Sequence, residues 1–134
     1  MKKLFLFLVL PALAQAEEID VVIHVIGLEQ QKGAIYAGLY DSEHWAGDQR
    51  LATTKVTVDG TDATLHLPAP GPGTYAVKMF HDLNGNGVLD KTFGIPDEPY
   101  AFSNNAKAGF GPPKFADAAF AVTEQGALVT ITLR

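Results

Sequence analysis

From Asp20 to Leu28 the chain alternates, with Val21, Ile23 and Val25 on one face and Asp20, Val22, His24 and Ile26 on the other. A period of two over this length predicts a β-strand with one buried face. The same reading predicts strands over Ala34–Tyr40, Lys55–Val58, Ala63–Leu67, Thr74–His81, Ala118–Val122 and Leu128–Leu133, seven in all. Within them, Tyr75, Val77 and Met79 share a face, and Val129, Ile131 and Leu133 lie opposite Thr130 and Thr132. Asp59-Gly60 between the third and fourth runs has hairpin spacing, so these two are expected to pair. Residues 42–50 read as one or two helical turns capped by Asp41 or Ser42. Short strands with polar turns and no sustained 3.6-residue period predict an all-β antiparallel sandwich of one domain.

Residues 82–114 break the pattern. They hold no long strand, four of the eight prolines, Gly85, Gly87, Gly94, Gly109 and Gly111, and the aromatics Phe93, Tyr100, Phe102 and Phe110. Connections of this length in compact domains are uncommon and usually functional or disordered. The aromatic content argues for an ordered loop over one end of the sandwich, with Phe102 and Phe110 expected to plug that end and Trp45 to lie over the core.

The N-terminus changes the picture of where the chain works. Lys2 and Lys3 precede the apolar run Leu4–Leu10, and Pro11 and Ala14-Gln15-Ala16 follow, the pattern of a removable signal peptide over residues 1–16. The run is too short to span a bilayer. The expected product is therefore residues 17–134, periplasmic or secreted and without a stable membrane anchor. Loss of the two lysines moves the formal charge from −5 to −7. That acidity argues against nucleic-acid partners, and the lack of Cys excludes a disulfide framework.

The most specific chemical signal is Asp82-Leu83-Asn84-Gly85-Asn86-Gly87-Val88-Leu89-Asp90. Calcium takes six to eight hard oxygen donors from a tightly curved chain. Asp82, Asn84 and Asn86 supply side-chain oxygens at loop positions one, three and five, the Val88 carbonyl can supply position seven, and Asp90 position nine. Gly87 permits the turn. Phe93 stands where an EF-hand needs a bidentate Glu, so the loop is closer to the calcium loops of thrombospondin type 3 and dockerin repeats. Asp97 or Glu98 is available to complete the shell. Two carboxylates and two amides point to weak affinity, roughly 10⁻⁴–10⁻³ M. The competing reading is an Asx/Gly turn without metal.

Other chemistry is less well marked. The histidines His24, His44, His66 and His81 have no zinc spacing. His81 and Asp82 are adjacent and give an acid/base or metal-dependent enzyme as an alternative, although neither Ser42 nor Ser103 sits in a nucleophile elbow. Tyr100, Phe102 and Asn104 combine aromatics with amides, the chemistry of a glycan platform.

Gly73-Thr74-Tyr75, His81 through Gly87, Phe93-Gly94-Ile95-Pro96 with Glu98, Phe102-Ser103-Asn104-Asn105 and Pro112-Pro113 with Phe115–Phe120 occur in fixed order. This series resembles the bacterial family catalogued as domain of unknown function 2141. The chain departs from it at Tyr100-Ala101, where such members carry Gly beside the aromatic. The resemblance implies an exported protein with an immunoglobulin-like or transthyretin-like sandwich and implies no enzymatic activity. Together the readings give a non-catalytic, calcium-stabilised module binding an envelope protein or a glycan. A purely structural envelope domain is the remaining alternative.

Overall fold

A computed structural model of the chain describes residues 18–134; the signal peptide expected over residues 1–16 lies outside them. A strand forms at each of the seven expected stretches, although the one expected over Ala118–Val122 starts only at Phe120 because Ala118 closes a helical turn. The seven are β1 (Ile19–Ile26), β2 (Ala34–Tyr40), β3 (Ala52–Thr57), β4 (Ala63–Ala69), β5 (Gly73–Asp82) and, after three very short strands, β9 (Phe120–Val122) and β10 (Ala127–Thr132). The short strands are β6 (Lys91–Thr92), β7 (Ile95–Pro96) and β8 (Tyr100–Phe102), all within the region that carries no long strand. Among the described residues, two α-helical turns, α1 (Ser42–Trp45) and α2 (Phe115–Ala118), and one 3-10 turn (Ser103–Asn105) complete the fold. Asp41 caps α1, its carboxylate accepting the His44 N–H at 3.0 Å.

The strands form two principal sheets, mostly antiparallel. One runs β10-β1-β4 and the other β3-β2-β5-β8, with β9 also paired to β5. Their alternating residues meet in one apolar cluster that includes Val21, Ile23 and Val25 of β1, Ile35 and Leu39 of β2, and Val77 and Met79 of β5. Val21, Ile23 and Val25 are fully buried, which places the β1 alternation on the face read from the sequence. Burial of each such aliphatic side chain contributes about 1.5–3 kcal/mol.

Two expectations about pairing are corrected. β3 and β4 do not form a hairpin: β3 pairs with β2 and β4 with β1. The connection crosses between sheets, because the Val58 N–H donates to Gly33 O at 3.0 Å while Thr61 O accepts the Leu28 N–H at 3.2 Å. The sandwich is also not wholly antiparallel, since β10 runs parallel to β1 from Val21↔Ala127 to Ile26↔Thr132.

The long connection covers the outer face of the five-stranded sheet. Tyr40, Trp45, Ala76, Phe102 and Ala118 form a second buried cluster, with Phe115 packed against it. Trp45 is its centre. Its ring meets Tyr40, Phe102 and Phe115 edge-on at 5.5, 6.1 and 5.9 Å, and its Nε1–H donates to Pro113 O at 2.8 Å. Phe110 does not plug the end of the fold. It is fully exposed, as is Phe93 at the tip of the β6–β7 hairpin.

Ser103 takes up the backbone between two pairings of β5, with β9 at Gly73–Tyr75 and with β8 at Lys78–Phe80. Its buried hydroxyl accepts the Val77 N–H at 2.9 Å and donates to Ala118 O. Ser103→Ala leaves both backbone groups buried without a partner. The expected cost is about 2–5 kcal/mol, read from the urea unfolding midpoint; a loss below ~1 kcal/mol would contradict this account of the join.

Candidate functional site

Residues 82–90 leave the end of β5 as a tight loop whose polar side chains fold back on its own backbone. Asp82 is 1% exposed. Its Oδ1 accepts the Gly85 N–H at 3.1 Å and its Oδ2 the Gly87 N–H at 2.8 Å. Asn84 Oδ1 accepts the Asn86 N–H at 3.2 Å, and Asn86 Oδ1 accepts the Val88 N–H at 3.1 Å. These are successive Asx turns, the local competition for backbone N–H groups that favours Asn and Asp here. Gly85 and Gly87 take φ values of 77° and 80°, a region that disfavours side chains.

The far end of the loop is drawn back over this curve. Asn84 Nδ2 donates to Asp90 Oδ2 at 2.6 Å, and Asn86 Nδ2 to Asp90 Oδ1 at 2.7 Å. These amides, Asn86 foremost, hold the Asp90 carboxyl below the ordinary carboxylate range. Among the described residues, no N–H is bonded to the Val88 carbonyl. The structure therefore gathers Asp82, Asn84, Asn86, Val88 and Asp90 on one arc. A carboxylate or amide oxygen that accepts one N–H keeps a further lone pair, so this set fits the hard-oxygen requirement of calcium.

Glu98, considered in the sequence as available to complete the shell, braces the loop. It is 7% exposed, and its Oε2 accepts the Leu83 N–H at 2.8 Å while its Oε1 accepts the Asp90 N–H at 3.1 Å. It thus ties both ends of the loop together. Asp97 is engaged outside the arc, its N–H donating to Asp90 O at 2.8 Å and its carboxylate accepting the Thr92 hydroxyl at 2.7 Å.

His81 and Asp82 are packed away. His81 is 1% exposed, and its Nε2–H donates to Lys32 O at 2.6 Å, which fixes the ring against the start of β2. Both Asp82 oxygens are committed to backbone, and neither side chain opens to solvent. The other histidines each face a carboxylate: His24 with Asp62, His44 with Asp41 and His66 with Asp20. One grouping was missed in the sequence. Asp41, Glu43 and His44 bring ligand atoms within 4.8 Å of one another. The three-residue spacing of Asp41 and His44 on one helical turn was its signal; the same contact caps α1.

The structure places the three residues of the aromatic–amide reading in different surroundings. Phe102 is 8% exposed and belongs to the second apolar cluster. Asn104 Nδ2 donates to Ala119 O at 2.8 Å and Asp117 O at 3.3 Å, so its amide closes the loop rather than facing a ligand. Tyr100 remains 38% exposed. Tyr100 and Phe102 together line a shallow depression of about 620 Å³ that also reaches Asn105, Lys107, Thr132 and Arg134.

This is a mostly β protein of several largely antiparallel sheets, with a polar Asx loop at the end of its longest strand. The chain belongs to the bacterial family described as "Uncharacterized protein conserved in bacteria (DUF2141)", which its residues 23–130 match. No curated protein and no solved structure matches it significantly.

Two outcomes test the loop. Glu98→Gln replaces one accepting oxygen with an amide that faces an N–H, and it should cost about 1–3 kcal/mol in chemical denaturation. A loss no larger than that of an exposed Glu→Gln change would refute the brace. The lowered Asp90 pKa sets a pH dependence: a carboxylate depressed by folding stabilises above its unfolded pKa, and that stability is lost as pH falls through the folded value. The melting-temperature gap between wild type and Asp90→Asn should be constant above about pH 5 and close progressively below about pH 4. A gap unchanged down to about pH 3 would contradict the assignment.

Proposed function

We propose that this protein is an exported, non-catalytic β-sandwich module of the immunoglobulin-like or transthyretin-like kind, in which calcium orders the long connection and the ordered connection presents a surface to an extracytoplasmic partner. The export reading stands on the signal-like residues 1–16. The sandwich reading is supported by the single apolar cluster shared between the two sheets.

The observation that carries the calcium reading is the arc itself. Oxygen-bearing side chains at loop positions one, three, five and nine belong to one tight turn, Asn84 and Asn86 reach Asp90 through their amide nitrogens, and the position-seven carbonyl is left unbonded among the described residues. Asp82, Asn84, Asn86 and Asp90 would hold the ion with side-chain oxygens, and Val88 with its carbonyl. The two amides would turn their oxygens inward, exchanging their bonds to Asp90 for contacts with the cation. Order would pass onward through the chain. Glu98 holds Leu83 and Asp90, Pro99 O accepts the His81 N–H at 2.8 Å, and Tyr100 opens β8 directly afterwards.

A ligand that binds only the folded state stabilises it by RT ln(1 + [L]/Kd), about 1.4 kcal/mol at ten times Kd. Residues 17–134 should therefore melt roughly 4–8 °C higher in saturating calcium than in EDTA. Magnesium should have little effect, and Asp82→Ala should abolish the response. An identical melt in EDTA and at ~10 mM calcium, well above the expected Kd range, would leave residues 82–90 as an Asx turn held by hydrogen bonds alone.

A further inference from the structure

The depression beside β8 differs in charge from the rest of the molecule. Residues 99–116 contain Lys107 and Lys114 and no acidic residue; residues 127–134 contain Arg134 and no acidic residue. The whole chain has a formal charge of −5, so the remainder carries −8 once these three cations are set aside. Lys107 and Arg134 both line the depression, both are exposed, and neither forms an ion pair with another described residue.

The same depression is lined by an aromatic wall and an amide. The Tyr100 and Phe102 rings meet edge to face at 5.9 Å, with Tyr100 the more exposed. Ala101, Ala106 and Ala108 keep the lining low, so the site is broad and shallow. Asn105 Oδ1 accepts the Thr132 N–H at 2.9 Å. Its Nδ2 has no partner among the described residues, so this amide is held in place with a donor to spare. The same contact occupies an outward N–H of β10 and blocks strand addition by a peptide at that point.

We infer that this depression binds a carboxylated saccharide. A pyranose ring lays its apolar face on Tyr100, its carboxylate meets Lys107 and Arg134, and its hydroxyls find Asn105 Nδ2 and the Thr132 hydroxyl. The inference rests on the reading that the Tyr100 surface takes an extracytoplasmic partner. It does not depend on whether residues 82–90 hold calcium.

The test uses residues 17–134 with oligogalacturonate, a neutral oligogalactose of the same length and polyglutamate, each titrated by calorimetry and by amide NMR with and without calcium. Oligogalacturonate is expected to shift the amides of Tyr100, Asn105, Lys107 and Thr132 and to bind at least about tenfold more tightly than either control. Added salt should weaken it. Lys107→Ser and Arg134→Gln should each reduce binding about tenfold while leaving the melting temperature unchanged, since both side chains are exposed. Equal binding of polyglutamate would overturn the saccharide assignment, and equal binding of the neutral sugar would overturn the role of the cations; either result leaves the partner surface itself standing. Binding by none of the three overturns the inference together with its glycan premise.

Discussion

Glu98 receives N–H groups from Leu83 and Asp90, two residues seven positions apart, on the two oxygens of one nearly buried carboxylate. Because Leu83 follows β5 directly, Glu98 also returns the chain to the strand it left, and β8 begins two residues later. Lys78↔Phe102 pairing then delivers Ser103 to the Val77 N–H, and Ser103 in turn holds Ala118 at the entrance to β9. A connection with no long strand is thereby converted into a fixed path. Each of these joins satisfies a polar group that would otherwise be buried at a cost of about 1–3 kcal/mol.

The polar joins set the path, and the second apolar cluster makes it favourable. Trp45 sits at the end of a four-residue helix too short to be stable by itself, yet its ring contacts β2, β8 and α2 and its Nε1–H fixes Pro113. Lys78 closes the rim: its ammonium lies 4.5 Å from the Tyr40 ring centroid and 4.6 Å from that of Trp45, and it donates to Trp45 O. Phe102 and Phe115 are therefore committed to the fold. Phe110, flanked by Gly109 and Gly111, reaches no such anchor and stays in solvent.

Alternation made the strands legible, because a side chain's face is a local property with a period of two. It could not say which strands are neighbours. The Asp59-Gly60 spacing suggested a hairpin, but hydrogen bonds to Gly33 and Leu28 carry that segment between sheets, and the parallel β1–β10 pair has no sequence signature at all. The polar loop was legible for the opposite reason: Asx turns are made by residues two to five apart, so Asp82, Asn84 and Asn86 announce their own geometry. The brace made by Glu98 was not legible, because its partners are backbone N–H groups, one of them fifteen residues away. Tyr100, Phe102 and Asn104 stand at alternate positions of one short stretch, yet burial and two backbone carbonyls separate their roles.

The loop's own hydrogen bonds bear on how any cation would act there. Asp82, Asn84, Asn86 and Asp90 each already accept N–H donors within the arc. A cation would have to replace the two amide bonds to Asp90 and would gain only the difference. Such exchange gives weak binding and a small added stability, of the order that separates an ordered from a fraying loop rather than a folded from an unfolded domain. That scale suits a device tuned to calcium outside the cytoplasm, where sites in the 10⁻⁴–10⁻³ M range operate. The saccharide-binding face proposed beside β8 lies outside this exchange, since Asn105 and Thr132 fix it through the opposite sheet. Loop and depression are joined through Glu98 to Tyr100 and through β5, which pairs with β8 and runs into Asp82.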